Sequence, residues 1–261
     1  MTTETIATQP AAAPAASREL AGKRVVVTGG TRGIGRAITP AAVRAGADVI
    51  VCHRSDSDAS RSLQRELDAA DGDHHLLRAD LARETDVRAF AAEVAARAER
   101  VDALICNAGA ITHTPLAELD SDTWHRVLDT NLTAPYLLVR ELLPVLADGA
   151  SVVFLGSRVA ERGVPLRAHY TASKAGLSGL ARGLCKELGP SRGIRVNVLA
   201  PGIIETEAAA ELPPQQYDRY RSITALSRLG APEEVADVAV FLAGDRSSYV
   251  NGTTIDVDGG I

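Results

Sequence analysis

The sequence predicts an α/β fold: one doubly wound parallel sheet with helices on both faces, in a single domain spanning about residues 21–261. Three observations predict it. Short apolar runs such as Val25-Val26-Val27 have the length and β-branched composition of strands buried on both faces. They alternate with longer stretches of helical period, the order that a parallel sheet with right-handed crossovers requires. The first of them runs directly into a glycine-rich turn, Thr28-Gly29-Gly30-Thr31-Arg32-Gly33-Ile34-Gly35, and a helical stretch follows.

In chain order, the first strand covers Lys23 to Thr28, and its helix runs through Ile38, Ala42 and Val43 to a stop at Gly46. Strand, glycine turn and helix together form the context in which backbone amides and a helix N-terminus cradle a pyrophosphate. The second strand, Asp48 to Cys52, ends at His53-Arg54-Ser55, about 20 residues past the turn, where a ribose-reading residue is expected. An acid there would bind the hydroxyls of NAD. Arg54 and Ser55 suit the 2′-phosphate of NADP instead, although Asp56 and Asp58 follow closely. The pattern continues with helix 58–70, strand 74–79, helix 84–98, strand 102–106, helix 121–146, strand 151–156, helix 170–189, strand 194–199, helix 232–243 and strand 253–257. Ligands of such sheets bind at the carboxyl ends of the strands. Asp80-Leu81, Asn107-Ala108-Gly109, Ser157 and Pro201-Gly202-Ile203 fall there.

Composition narrows the function. A net charge of −5 without a basic stripe argues against a general nucleic-acid binder. No apolar run approaches the ~20 residues of a membrane span. Met1 to Ser17 has neither the basic nor the apolar region of a signal peptide and reads as a disordered tail, closing near residue 20. Cys52, Cys106 and Cys185 lack metal-ligand spacing and read as small core residues in a reducing, cytoplasmic compartment.

Chemistry is carried by Tyr170-Thr171-Ala172-Ser173-Lys174, which puts a phenol and an ammonium one helical turn apart. A phenol titrates near pH ~10, and a fixed cation beside it is expected to bring its proton into play near neutrality. The chain has only three lysines against five tyrosines, so this spacing is seldom accidental.

With TGGTRGIG at 28–35, Asp80-Leu81, NAG at 107–109, Asn131 in NLTAP, Ser157, YTASK at 170–174, RVNVLAPG at 195–202 and DGGI at 258–261, the sequence resembles the short-chain dehydrogenase/reductases from about residue 22 onward. Its last third is most similar to the 3-oxoacyl-carrier-protein reductases. The resemblance implies a Rossmann-type fold and a catalytic tetrad of Asn131, Ser157, Tyr170 and Lys174. In it Tyr170 passes a proton to the developing alkoxide, Ser157 hydrogen-bonds the carbonyl oxygen, and Lys174 lowers the Tyr170 pKa and holds the nicotinamide ribose. Asn131 would hold a water that connects Lys174 to solvent. It also implies cofactor contacts from Gly29, Thr31, Arg32, Gly33, Ile34 and Gly35, from Asp80 and Leu81 at the adenine, and from Asn107, Ala108 and Gly109 behind the ribose. Pro201, Gly202, Ile203 and Thr206 would position the nicotinamide. The implied activity is NADPH-dependent ketone reduction. NAD-dependent alcohol oxidation and a silent dinucleotide-binding scaffold are the alternatives. Homo-oligomers, dimers or tetramers pairing through the helices at 121–146 and 170–189, are implied as well.

Substrate choice is expected to lie in residues 110–115, in the charged loop 158–169, and in 204–228, read as a helical lid. The loop carries Arg158, Glu161, Arg162, Arg167 and His169, which read as solvated charges ahead of an acid-binding set. Leu146-Ala147-Asp148-Gly149-Ala150 lacks the cations by which carrier-protein reductases dock an acidic carrier; Arg192 is kept at a second docking position. A carrier-bound substrate and a free ketone both remain open at this point.

Overall fold

The computed structural model describes residues 18–210 and 213–261. Seven parallel strands form one sheet in the order β3-β2-β1-β4-β5-β6-β7: β1 Arg24–Thr28, β2 Asp48–His53, β3 His75–Arg78, β4 Val101–Cys106, β5 Leu146–Leu155, β6 Arg195–Pro201 and β7 Thr254–Val257. The strands β1, β2, β4 and β6 are short and almost wholly buried, and successive side chains enter opposite layers. Val26, Leu104 and Val152 belong to a core beneath α3 (Glu84–Arg97), α5 (Ala134–Leu142) and α7 (Ala168–Arg192). Val25, Val27, Ile105 and Val153 belong to a second core beneath α1 (Gly33–Arg44), α2 (Asp58–Ala69) and α10 (Pro232–Ala243). From β1 the chain builds outward to β3, then returns to place β4 on the other side of β1. The crevice at that reversal is where open α/β sheets bind ligands.

Three expectations need correcting. The helix expected over 121–146 is α4 (Ser121–Leu128), a π-helical turn at Asp129–Thr133 that under-winds the backbone, and α5, which ends at Leu142. A π turn adds a residue without disturbing the apolar period enough to show in the sequence. Strand β5 begins at Leu146 rather than 151, because Val101 bonds back to Val145 and the register with β4 shifts between Val101 and Ala103. Residue 20, expected at the end of the tail, is part of the fold: Leu20 is fully buried in the second core, and its N–H donates to Ala45 O at 2.9 Å. Met1 to Ser17 lie outside the described residues.

The stretch 204–228, expected to be a lid, contains two short helices, α8 (Glu207–Ala210) and α9 (Pro214–Ser222). Its ends are tied to the body. Gly230 N–H donates to Ile203 O, and Leu226 N–H to Gly259 O, at 3.0 and 3.1 Å. No helix among the described residues is long and apolar enough to cross a membrane.

Candidate active site

At Gly29 and Gly35 the glycine turn has no room for a side chain. A Cβ on Gly29, whose φ is +67°, would lie 2.9 Å from Ala108 Cα, and one on Gly35 would lie 2.2 Å from Gly29 O. Asn107 Nδ2 donates to both Thr28 O and Gly29 O at 3.0 Å, while Ala108 N–H donates to Thr28 Oγ1 at 3.0 Å. The NAG turn after β4 is thereby bolted to the turn after β1, so Asn107 has a stitching role in its own right. Helix α1 opens at Arg32 without a side-chain cap and without an acid in its first turn. Its Gly33 N–H donates instead to a carboxylate oxygen of Glu207, brought up from α8 at 3.1 Å. The α1 N-terminus is a seat for an anion, and here an acidic side chain of the chain itself takes the place a phosphate oxygen would take. Cradle and seat therefore fit a dinucleotide.

Beside the cradle is a cavity of about 250 Å³ whose walls include Thr31, Arg32, Arg54, Ser55, Asp80 and Leu81. Ala108 and Gly109 close its floor, Ile34 packs into the second core, and Gly33 and Gly35 lie in the first turn of α1. Asp80 is not the cap of α3, which is Arg83; its carboxylate accepts from Ala82 N–H. An adjoining cavity of about 330 Å³ brings Arg54 together with Arg78 and Arg83. Sequence reading missed those two arginines. Arg78 closes β3, and the rule that strand ends face the ligand could have found it. Both are only loosely paired with acids, Arg78 to Asp56 at 3.6 Å and Arg83 to Asp80 at 3.8 Å.

The second group of residues meets at the ends of β4, β5 and β6. Asn131 lies in the π turn, buried, with Oδ1 accepting from Ala110 N–H at 2.7 Å and Nδ2 donating to Ala110 O and Ser173 Oγ. Single π turns recur at functional sites because they re-aim a side chain and release backbone groups. Ser157 Oγ accepts from Val159 N–H, and Ser157 and Lys174 share the wall of a narrow crevice. Lys174 is 4% exposed; its Nζ donates to Leu155 O at 2.6 Å and lies 5.7 Å from the centre of the Tyr170 ring. A Cβ on Gly109 would stand 3.3 Å from Asn131 Oδ1 and 3.6 Å from Lys174 Nζ, so NAG separates these two groups by one residue's width. Pro201 O accepts from Arg158 N–H, and Gly202 is wedged against Asp258. Beyond Ile203 the chain carries Thr206 up to Gly33 at the α1 N-terminus.

The electrostatics differ from expectation in one respect. Burial pushes the Tyr170 phenol above its ordinary value, against smaller opposing effects of the Ser157 hydroxyl and the Arg167 charge, and Lys174 is not what lowers it. The reason is direction: the amine reaches under the ring to a main-chain carbonyl. Burial also pulls Lys174 down to about 8. The Cys52 thiol, buried near the cradle, is pushed up to about 12, which fits an inert core residue.

A family model described as enoyl-(acyl carrier protein) reductase matches residues 29–261. The chain belongs to the short-chain dehydrogenase/reductase family. It is 34% identical over 93% of its length to the 3-oxoacyl-[acyl-carrier-protein] reductase FabG of Chlamydia pneumoniae, covering 98% of that relative. Among solved structures, it resembles a blue fluorescent protein from a metagenomic library in complex with NADPH (TM-score 0.88, 34% identity, 93% and 98% of the two chains). It also resembles the angucycline C-6 ketoreductase LanV with bound NADP (TM-score 0.86, 29% identity, 93% and 96%). As a family member it is a nicotinamide-dependent oxidoreductase acting at carbonyl or hydroxyl groups.

One member-specific expectation changes. Arg192, read as a docking cation for an acidic carrier, donates through Nε to Asp148 at 2.8 Å and through Nη1 to Leu143 O at 2.7 Å. Its charge is spent on Asp148 and on the C-terminal end of α5, where the macrodipole favours a cation.

Proposed function

We propose that this protein is an NADPH-dependent ketoreductase that reduces a ketone to a secondary alcohol. The observation that carries the reading is the buried Lys174 one turn after Tyr170, with Ser157 beside the phenol, at the strand ends next to a glycine cradle that fits a dinucleotide. NADPH, when bound, supplies the hydride. Tyr170, protonated because burial raises its pKa, donates its proton to the alkoxide oxygen as the carbonyl carbon is reduced. Ser157 hydrogen-bonds that oxygen and stabilises the developing charge. Lys174 holds the nicotinamide ribose, and Asn131 fixes the route by which Tyr170 regains a proton from solvent.

Gly29, Thr31, Arg32, Gly33, Ile34 and Gly35 would hold the pyrophosphate, Asp80 and Leu81 the adenine, Asn107, Ala108 and Gly109 the ribose, and Pro201, Gly202, Ile203 and Thr206 the nicotinamide. Arg54 and Ser55, assisted by Arg78 and Arg83, would take the 2′-phosphate, which favours NADP over NAD. Both similar structures named above hold that phosphorylated cofactor. Residues 204–228 act as the substrate lid. The protein is a homo-oligomer pairing through α5 and α7, whose adjoining surfaces form an open, mainly apolar groove lined by Leu132, Tyr136, Gly176 and Leu180.

The test is oxidation of NADPH and of NADH, followed by the loss of reduced-nicotinamide absorbance, against β-keto thioesters, cyclic diketones, aromatic ketones and one enoyl thioester, since the family model is named for enoyl reduction. Turnover of a ketone class with NADPH, reduced about 10³-fold by Tyr170→Phe with NADPH affinity retained, supports the reading. Turnover of the enoyl thioester alone, or none of the panel despite tight cofactor binding, would sink it.

A further inference from the structure

Between the Ser157 turn and Tyr170 the chain makes an arrangement that the reaction above does not use. Residues 110–115 and the segment 163–169, which runs into the first turn of α7, are fastened together at three points. Thr114 N–H donates to Leu166 O at 2.9 Å, Thr112 Oγ1 and His169 Nε2 share a hydrogen bond of 2.6 Å, and Arg167 Nε donates to His113 Nε2 at 2.9 Å. The second nitrogen on the same edge of the guanidinium, Nη2, also points to His113 Nε2. Leu166, just before the arginine, has φ +66°, a left-handed conformation that is strained for a side-chain-bearing residue and tends to persist where a site is being shaped.

Arg167 breaks three local rules at once. It is the N-cap of the 25-residue helix α7, so a cation occupies the positive end of a helix, where an anion belongs. No acid stands in the first turn of α7 to offset it. Among the described residues, its side chain forms no hydrogen bond or ion pair with any carboxylate; its single partner is an imidazole. Burial, and then Arg167 itself, push His113 below its ordinary pKa, which keeps that ring a neutral acceptor. His169 behind it is fully buried with Nδ1 unpartnered. By contrast Arg158, nine residues earlier, is surrounded by Glu161, Asp256 and Asp258. The Nε edge of Arg167 is thus spent on holding its position, while the Nη1–Nη2 end is left with an open fork of donors. That fork is one helical turn from Tyr170 and close enough for its charge to act on the phenol. Ile111, Val164 and Leu166 around it are exposed.

We infer that Arg167, positioned by His113, is a specificity residue that binds a carboxylate of the substrate, so that the ketone reduced at Tyr170 is part of a keto acid with an otherwise apolar skeleton. A planar carboxylate accepts two parallel N–H bonds from a guanidinium end, and its charge offsets the helix terminus and the arginine together. The inference rests on the ketoreductase reading and narrows its substrate class.

The deciding experiment compares pyruvate, acetoacetate and levulinate, each with its methyl ester, as NADPH-dependent substrates of the wild type, R167Q, R167K and H113A. Wild type favours at least one acid over its ester in kcat/KM. R167Q lowers that acid-to-ester ratio about 30-fold, R167K keeps part of it because charge remains without the fork, and H113A lowers it several-fold because the arginine loses its anchor. Unchanged melting temperature and NADPH affinity verify that each variant is folded. A ratio near one in the wild type, or one that R167Q leaves unchanged, overturns the inference. Binding to the NADPH complex, read by nicotinamide fluorescence, separates the two readings if nothing is turned over. Levulinate binding that R167Q weakens keeps the Arg167 inference and removes ketone reduction; equal binding of acid and ester removes the inference too.

Discussion

The two halves of the site are built by different means. On the cofactor side, positions are set by the backbone: glycines that tolerate no Cβ, an asparagine bolting one turn to another, and a helix N-terminus that seats an anion. On the proposed substrate side, positions are set by side chains and loops: a π turn, an arginine anchored to a neutral histidine, and the stretch 204–228, tied at its ends. Backbone sterics admit few solutions, so the first half has a repeated residue pattern. Side-chain arrangements admit many, so the second half carries what is particular to this chain.

If that contrast is right, the largest effect comes from adding a single methyl to the cofactor half. Gly35→Ala puts a Cβ 2.2 Å from Gly29 O and 2.4 Å from Asn107 Nδ2, so the bolted turns must part. Overpacking of this kind costs about 1–3 kcal/mol or more, and NADPH affinity should fall over about 100-fold as the cradle opens. Calorimetric binding checks this. Full affinity in a stably folded variant would show that the cradle is not set by backbone contact.

The same contrast explains how much of the molecule was legible. Strand alternation, the glycine turn and the motifs at strand ends could be read because buried parallel strands and phosphate cradles leave strong compositional traces. The π turn at Asp129–Thr133 could not, since its extra residue leaves the apolar period of 121–146 nearly intact. Leu20 was hidden because a single apolar residue next to an Ala-rich stretch has no period. The Tyr170–Lys174 spacing revealed the pair, but not that Nζ turns to Leu155 O, because sequence fixes which face a side chain occupies and not which acceptor it finds. Arg192 looked free for the same reason: its partners Asp148 and Leu143 are distant in the chain.

A second, smaller effect belongs to cofactor choice, where a side chain decides inside the backbone-built half. Arg54→Ala removes the central cation of the cavity that joins Arg54, Arg78 and Arg83. A charge-assisted hydrogen bond to phosphate contributes about 1.5–3 kcal/mol, so the NADPH-to-NADH ratio of kcat/KM should drop roughly 10- to 100-fold. Arg78→Ala should reduce it less. An unchanged ratio in the Arg54 variant would move phosphate recognition to Arg78 and Arg83.

The pH profile examines the seam between the halves. Lys174 is pulled down to about 8 by desolvation, so its amine is charged below that pH and loses its proton above it. Tyr170, raised by burial, stays protonated across the same range. In the proposed reaction both groups act in their protonated forms. Its kcat/KM should therefore be level on the acid side and fall as pH rises through about 8, approaching tenfold per unit well above it. A profile that stays level past pH ~10, the ordinary range of a lysine, would mean that Lys174 keeps its charge through a partner other than Leu155 O.

The smallest effect concerns Glu207, the point where the substrate half reaches into the cofactor half. Its carboxylate accepts from Gly33 N–H at the seat that the proposed reading gives to a pyrophosphate oxygen, so a dinucleotide bound there would compete with an internal anion carried on α8. An anion at a helix N-terminus is worth about 0.3–1 kcal/mol at an exposed position, and Glu207→Gln lowers that competition without changing the size of the side chain. The dissociation constant for NADPH should fall about two- to fivefold, and more at low salt, where the dipole interaction is least screened. Weaker binding in Glu207→Gln would reverse the argument: the carboxylate would then be arranging α8 for the cofactor, and α8 would be part of the cradle instead of its competitor.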